Sequence, residues 1–199
     1  MIRKIASGAE AVILKEKEHV IKDRIKKSYR IKEIDLKLRK TRTRKEAKLI
    51  KKLNLINFPV PKFISLDDQD MKIFMQYIKG DKLSNILENT DHITICSRIG
   101  LLMKTMHEND IIHGDLTTSN MILTKDNKLY FIDFGLGFVS TKTEDKAVDL
   151  HLIRQAFDSK HYRIAEKCFN AVLKAYKDRS VIKRLEKVEL RGRNKQKKL

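Results

Sequence analysis

The sequence predicts an α+β fold in two unequal lobes, with the strands first and the helices second. Three observations carry this: short β-branched runs before Gly80, one long helical stretch among them, and a helical apolar period through most of the remaining chain. The opening IRKIASGAEAVILKEKEHVIKDRI is broken at Ser7-Gly8 and at the polar stretch Lys15 to Glu18, so strands are expected around Ile2 to Ala6, Ala11 to Leu14 and His19 to Ile25. From about Lys32 a helical period runs to Leu53, with an interruption expected near Thr41-Arg42-Thr43. The stretch NFPVPKFISLDDQDMKIFMQYIKG then reads as two strands around an acidic turn at Asp67 to Asp70. This makes a small lobe of five antiparallel strands plus one long helix.

Beyond Gly80 the pattern becomes mainly helical. Cys96, Ile99, Met103 and Met106 recur three or four residues apart and define one buried stripe, which places Cys96 in a core rather than in chemistry. NKLYFIDFG is a short strand after a turn at Asp126-Asn127, and helical spacing returns through DKAVDLHLIRQAF and HYRIAEKCFNAVLKAYKDRSVIKRLEKV. The last ten residues, LRGRNKQKKL, read as unfolded in isolation. A crevice between the two lobes is the expected place for a site.

With 199 residues, 41% of them hydrophobic, the chain is long enough for a real core and excludes a largely disordered tail. Cys96 and Cys168 are far apart and lack metal-ligand spacing, which argues against a disulfide framework and a zinc site. No run approaches the roughly 18 to 20 apolar residues of a membrane span, and the N-terminus lacks a signal-peptide apolar region. A soluble, cytoplasmic protein without a membrane partner is the expectation.

The net charge of +18 is concentrated in two places. Residues 22–52 hold fifteen Lys/Arg against four Asp/Glu, and residues 183–199 hold eight against two. Clustered cations gain affinity for a polyanion by releasing its condensed counterions. The alternative is a solvated helix face and a loose tail. An acidic membrane surface fits less well, because neither segment sets a large apolar moment beside its charge.

Several polar residues stand where burial makes them costly. Lys22 follows Val20-Ile21 on the third strand, where alternation aims it inward and a partner becomes necessary. Glu46, on the helical face of Leu49, Ile50 and Leu53, can supply that partner; Thr43 to Glu46 also fits a capping box, and both readings stand. Asp115 and Asn120 lie five apart in a loop anchored by Ile111-Ile112 and Met121-Ile122-Leu123. Asp133 ends a strand expected to be buried, where a magnesium ion is a natural counter-charge, and Gly135 lets the chain turn. A cation for phosphates, oxygen ligands for magnesium and a positioned carboxylate are what phosphoryl transfer from ATP requires.

IIHGDLTTSN followed by YFIDFG resembles the catalytic and metal-binding loops of the protein-kinase superfamily, and VIK resembles its lysine strand. The resemblance implies a bilobal protein-kinase-like fold with an N-lobe over 1–78, a reduced C-lobe over 79–187 and a basic tail over 188–199. It implies that Asp115 is the catalytic base, that Asn120 and Asp133 hold Mg2+, and that Lys22 grips ATP while pairing with Glu46. By the same resemblance Ala6, Ser7, Gly8, Ala9 and Glu10 form a reduced phosphate loop. Met75 guards the pocket, Gln76 and Ile78 read adenine, and Asp149 steadies the catalytic loop.

The departures narrow the family. Gly114 replaces the arginine that regulated kinases place before the base, Thr117 replaces a lysine, and thirteen residues between Gly135 and Asp149 leave no room for a peptide platform. With GAEA, RKTRTRKEAKLI, EDKAVDLHLIRQAF and LRGRNKQKK, the chain closely resembles the archaeal type of the PRPK-related kinase/ATPase subunit of the KEOPS complex. That resemblance implies an atypical serine/threonine kinase with ATPase activity, a threonylcarbamoyl-transferring partner and other KEOPS subunits, and tRNA on the basic segments, including Arg191 and Arg193. Two other readings are an aminoglycoside-type phosphotransferase, which also carries HGD, and a non-catalytic RNA-binding module. Ribosome-maturation kinases with HGD loops form a third relative, generally without Phe-Gly after the second Asp. Among the histidines, His107 and His113 are expected to pack and hydrogen-bond, whereas His19, His92, His151 and His161 show no ligand spacing.

Overall fold

The computed structural model describes residues 2–8 and 10–196, with side chains described as far as Arg191. The chain divides into two compact units, one of residues 1–79 with 130–136 and one of 80–129 with 137–199.

The first unit is built on a five-stranded antiparallel sheet in the order β1-β2-β3-β5-β4. Its strands are β1 (Arg3–Ser7), β2 (Val12–Glu16), β3 (His19–Asp23), β4 (Phe63–Asp67) and β5 (Lys72–Gln76). The central strand β3 is the one whose Val20, Ile21 and Lys22 are all buried, because neighbours pair with it on both edges. Lys22 stands opposite Ile13 on β2 and Ile73 on β5, so register sets a charged group among apolar ones.

Helix α1 (Lys32–Leu55) runs for 24 residues without the interruption expected at 41–43. No Gly or Pro falls within it, and Thr and Arg cost a helix only tenths of a kcal/mol each. The Thr43 hydroxyl donates back to the Arg39 carbonyl at 2.8 Å, so Thr43 lies inside the helix and the capping-box alternative falls. Glu46, Ala47, Leu49, Ile50 and Leu53 form the buried face, at the spacing the helical period requires.

In the second unit β6 (Gly80–Lys82) pairs antiparallel with β8 (Met121–Thr124), and the short β7 (Ile111–Ile112) pairs with β10 (Phe138–Val139). Between β8 and β10, β9 (Leu129–Phe131) leads the chain to Asp133. The helices are α2 (Leu83–Ile86), α3 (His92–Glu108), α4 (Thr143–Lys160), α5 (Ala165–Tyr176) and α6 (Arg179–Gln196). The expected stripe on α3 is fully buried, and Gly100 permits close packing against α5: a Cβ there would come within 2.3 Å of the Val172 carbonyl oxygen. Cys96 and Cys168 are free thiols that meet in this core, where the neighbouring sulfur and burial push the Cys96 thiol up.

The expectation of an unfolded C-terminus needs correction. Helix α6 continues to Gln196, fastened to α4 by Arg154 to Glu189 at 3.0 Å and by Arg184 and Arg191 to Glu144. The Arg184 guanidinium holds the Glu144 carboxyl below its usual range. These pairs tie helical residues to a partner that sequence proximity does not reveal. The Arg193 side chain and residues 197–199 lie outside the described residues.

Candidate active site

Four charged groups meet in the first unit. Lys22 Nζ donates to Glu46 Oε1 and to Asp133 Oδ1, each at 2.7 Å. Arg24 donates through Nη2 to the other Glu46 oxygen. Lys22, Arg24 and Glu46 are 5%, 3% and 1% exposed, so the charges compensate one another rather than rely on water. Sequence reasoning paired Lys22 with Glu46 and set Asp133 beside a magnesium ion, but missed the Lys22–Asp133 contact and Arg24. The signal was available: two residues past Lys22, Arg24 continues the same period-two face.

Asp133 departs from the expectation of a buried carboxylate. The preceding Phe131 is buried, but the Asp133 side chain is 47% exposed. Its surroundings resist ionisation through burial, yet the Lys22 ammonium, the Gly135 amide and Arg24 together hold its carboxyl below the usual range. Solvent reaches one side of a group whose other side faces protein, which suits a carboxylate that exchanges partners. Its backbone is left-handed at φ 65°, a region Asp tolerates better than most residues. Gly135 leaves room beside it, since a Cβ there would stand 3.0 Å from both Arg24 Nη2 and Asp133 Oδ1 and would crowd those side chains.

The β1–β2 turn closes by Gly8 N donating to the Ala11 carbonyl at 2.9 Å, following Ala6 and Ser7 on the sheet. Glu10 in that turn is engaged elsewhere: Arg30 at 2.8 Å and Arg42 at 3.0 Å hold its carboxylate and lower its pKa. Ala9 lies outside the described residues. Met75 is buried opposite Val20, and Ile78 is buried just past β5. Gln76 N donates to the Lys62 carbonyl and Tyr77 N to that of Glu18, which fixes this segment to the residues just before its two neighbouring strands, β4 and β3.

The second unit holds Asp115 and Asn120. Asn120 Nδ2 donates to the Asp115 backbone oxygen at 2.8 Å and to its carboxylate Oδ2 at 3.0 Å. The amide nitrogen is thereby committed, which turns the pair into a fixed carboxylate beside an amide oxygen. Behind the loop, Asp149 accepts from His113 N at 2.6 Å and Gly114 N at 2.8 Å. Its Oδ2 also meets His107 Nε2 at 3.3 Å, while His107 Nδ1 lies 2.8 Å from the Tyr176 hydroxyl. A carboxylate only accepts, so the chain of donors runs from Tyr176 through His107 to Asp149. Burial pushes the Tyr176 phenol up, which keeps that proton in place.

Gly114 has a backbone reason as well as a missing side chain. Its φ of 77° lies where residues with a Cβ are strained, and its amide must still reach Asp149. A third anchor joins the Thr118 hydroxyl to His161 Nε2 at 3.0 Å, both groups buried. His161 Nδ1 has no hydrogen-bond partner, and Glu88 Oε1 is 3.5 Å away; desolvation lowers the imidazole pKa despite that carboxylate. Neither His161 nor Tyr176 had a sequence signal beyond its own residue type.

Comparisons with known proteins bear on the family and the fold. The RIO-domain family matches residues 4–147, a span that includes Phe134 and Gly135, so that pair does not separate the chain from the family. The chain is 43% identical over 184 residues to the KEOPS complex subunit Bud32 of Pyrococcus abyssi (strain GE5 / Orsay), covering 87% of this chain and 83% of that protein. It is 39% identical over 196 residues to a probable bifunctional tRNA threonylcarbamoyladenosine biosynthesis protein of Methanothermobacter thermautotrophicus, covering 95% of this chain but 36% of that one. Among solved structures it is similar to the Rio2 kinase of Chaetomium thermophilum in an ADP/Mg2+-phosphoaspartate complex. That match has a TM-score of 0.65 at 18% identity, covers 97% of this chain and 70% of that one, and shows a shared kinase-like α+β fold. Among the described residues no helix is long and apolar enough to cross a membrane.

Proposed function

The chain belongs to the RIO-domain family, in the Bud32 branch of KEOPS-complex subunits, and on that premise we propose that it is the ATP-dependent kinase and ATPase subunit of such a complex, supporting threonylcarbamoyl-adenosine modification of tRNA. One observation carries the reading. The buried Lys22 is held at 2.7 Å by the buried Glu46 and by the half-exposed Asp133, 24 and 111 residues away.

Lys22 binds phosphate oxygens, and Glu46 keeps its ammonium in place. Asp133 and Asn120 would each offer Mg2+ a donor: one is an ionised, half-open carboxylate and the other an amide oxygen whose nitrogen is already engaged, both hard donors suited to that ion. The ion supplies positive charge to the transferring phosphate. Asp115 takes the proton from the attacking hydroxyl, with its carboxylate oriented by Asn120 and its loop clamped by Asp149. Ala6, Ser7, Gly8 and Glu10 border the phosphates, and Met75, Gln76 and Ile78 receive the adenine.

The acceptor is Ser/Thr on the protein itself or a partner, and chiefly water. Of the residues from Gly135 to Asp149, most form the two-residue strand β10 and the first turns of α4, which supports a substrate platform too short for peptides. A separate threonylcarbamoyl-transferring subunit is the partner; the bifunctional relative, of which this chain spans 36%, supports that division of labour. tRNA meets Lys37, Lys45 and Lys48, exposed on one face of α1, together with the end of α6.

ATP hydrolysis by the pure chain, alone and with its partner and tRNA, tests this. Mg2+-dependent turnover that Asp115→Ala abolishes without lowering the melting temperature is expected. No binding of MgATP even in the assembly would overturn the reading, and turnover retained by Asp115→Ala would remove the base.

A further inference from the structure

Arg24 has no part in the roles above, yet it is one of the most costly residues in the first unit. A buried guanidinium cannot shed its proton, so it must be compensated where it stands. Glu46 alone would satisfy Lys22; Arg24 nevertheless takes Glu46 Oε2 while Lys22 takes Oε1. The two cations are balanced only when Asp133 is counted with Glu46, and Lys22 is the group shared between them.

Arg24 also packs against the turn that presents Asp133, since Nη2 stands 3.0 Å from where a Cβ on Gly135 would be. Its Nε is buried with no hydrogen-bond partner, and Arg39 Nη1 donates to its carbonyl at 3.3 Å, which pins its backbone to α1. Arg24 therefore ties β3, α1 and the Asp133 turn to one point without using Lys22.

We propose that Arg24 is a positioning residue for the nucleotide site: it holds Glu46 independently, so that Lys22 can exchange Asp133 for the phosphate oxygens of a nucleotide without Glu46 losing its cation. The proposal rests on the nucleotide-site reading above and adds a residue that reading does not use. Without Arg24, Glu46 draws the Lys22 ammonium to itself and competes with phosphate. The loss therefore falls on nucleotide affinity rather than on the chemical step.

The test compares wild type, Arg24→Met and Arg24→Lys by calorimetric titration with MgADP, by melting of the nucleotide-free protein, and by ATP turnover. Arg24→Met is expected to weaken MgADP binding about tenfold, with saturated turnover within about twofold of wild type. Arg24→Lys, which keeps the charge but lacks the planar fork, should fall between the two. Wild-type MgADP affinity in Arg24→Met, with or without a lower melting temperature, overturns the proposal by leaving Arg24 only a structural role. If Arg24→Met does not fold, Arg24→Lys decides: affinity weakened about threefold at unchanged saturated turnover carries the proposal, and wild-type affinity overturns it. Failure of the wild type to bind MgADP is a different result, which sinks the nucleotide-site reading itself.

Discussion

The two units treat their buried carboxylates in opposite ways. In the first, Glu46 is matched by the long side chains of Lys22 and Arg24, and one of those cations also serves a half-exposed Asp133. In the second, Asp149 is matched mainly by backbone amides of its own unit, those of His113 and Gly114, backed by His107 and Tyr176. Side-chain cations can trade partners when a new anion arrives, whereas backbone amides cannot move without bending the chain. The first arrangement is thus an exchangeable charge balance, and the second a fixed frame for the Asp115 loop.

Substitutions can break that contrast, and the largest effect belongs to the exchangeable side. Lys22→Met should lower ATP turnover by on the order of a hundredfold or more while the protein still folds, measured by hydrolysis and circular dichroism. Wild-type turnover in this variant would remove Lys22 from the site. Asp149→Ala should do the reverse first, destabilising by about 3 kcal/mol because two buried amides lose their acceptor, as read by denaturant unfolding. A stability loss well under that would mean the frame is held by something other than Asp149.

Gly114→Ala sharpens the same point. A Cβ at φ 77° should cost about 1 to 2 kcal/mol and lower turnover by shifting Asp115, although nothing touching a nucleotide has changed. The frame also has a pH signature through His161. Burial depresses its folded pKa below the unfolded value of about 6.5, so the unfolded chain binds the proton more readily. The contribution is complete above that pH and is lost as pH falls toward the folded pKa. Melting temperatures between pH 5 and 8 should show that slope, and His161→Gln should flatten it. Smallest of all, Arg44→Ala on the exposed pair with Asp68 should leave the melting temperature unchanged, since water solvates both partners once they separate.

The legible part of this molecule was the part written in short-range pattern. Val20-Ile21-Lys22 gave a central strand and an inward lysine, and the face of Leu49, Ile50 and Leu53 put Glu46 on the same side of one helix. Thr43 misled, because a capping box and a mid-helix Thr look alike until the backbone is followed; here the hydroxyl bonds to Arg39. The last residues misled differently: LRGRNKQKKL has too little apolar surface to fold by itself, but Arg191 meets Glu144, 47 residues earlier.

Sequence by itself determined the order of strands and helices, the two basic segments, the loop bearing Asp115 and Asn120, and the cation-carboxylate partnership of Lys22 and Glu46. Those features follow from spacing along the chain, where backbone preference and burial act over a few residues. Only the tertiary structure decided that Lys22 is shared with Asp133, that Arg24 takes the second oxygen of Glu46, and that Tyr176 and His161 brace the Asp115 loop. With 44 Lys and Arg in the chain, composition offers many cations to each carboxylate, and closure of the fold selects the few that stand within reach in a place too dry for any to remain unpaired.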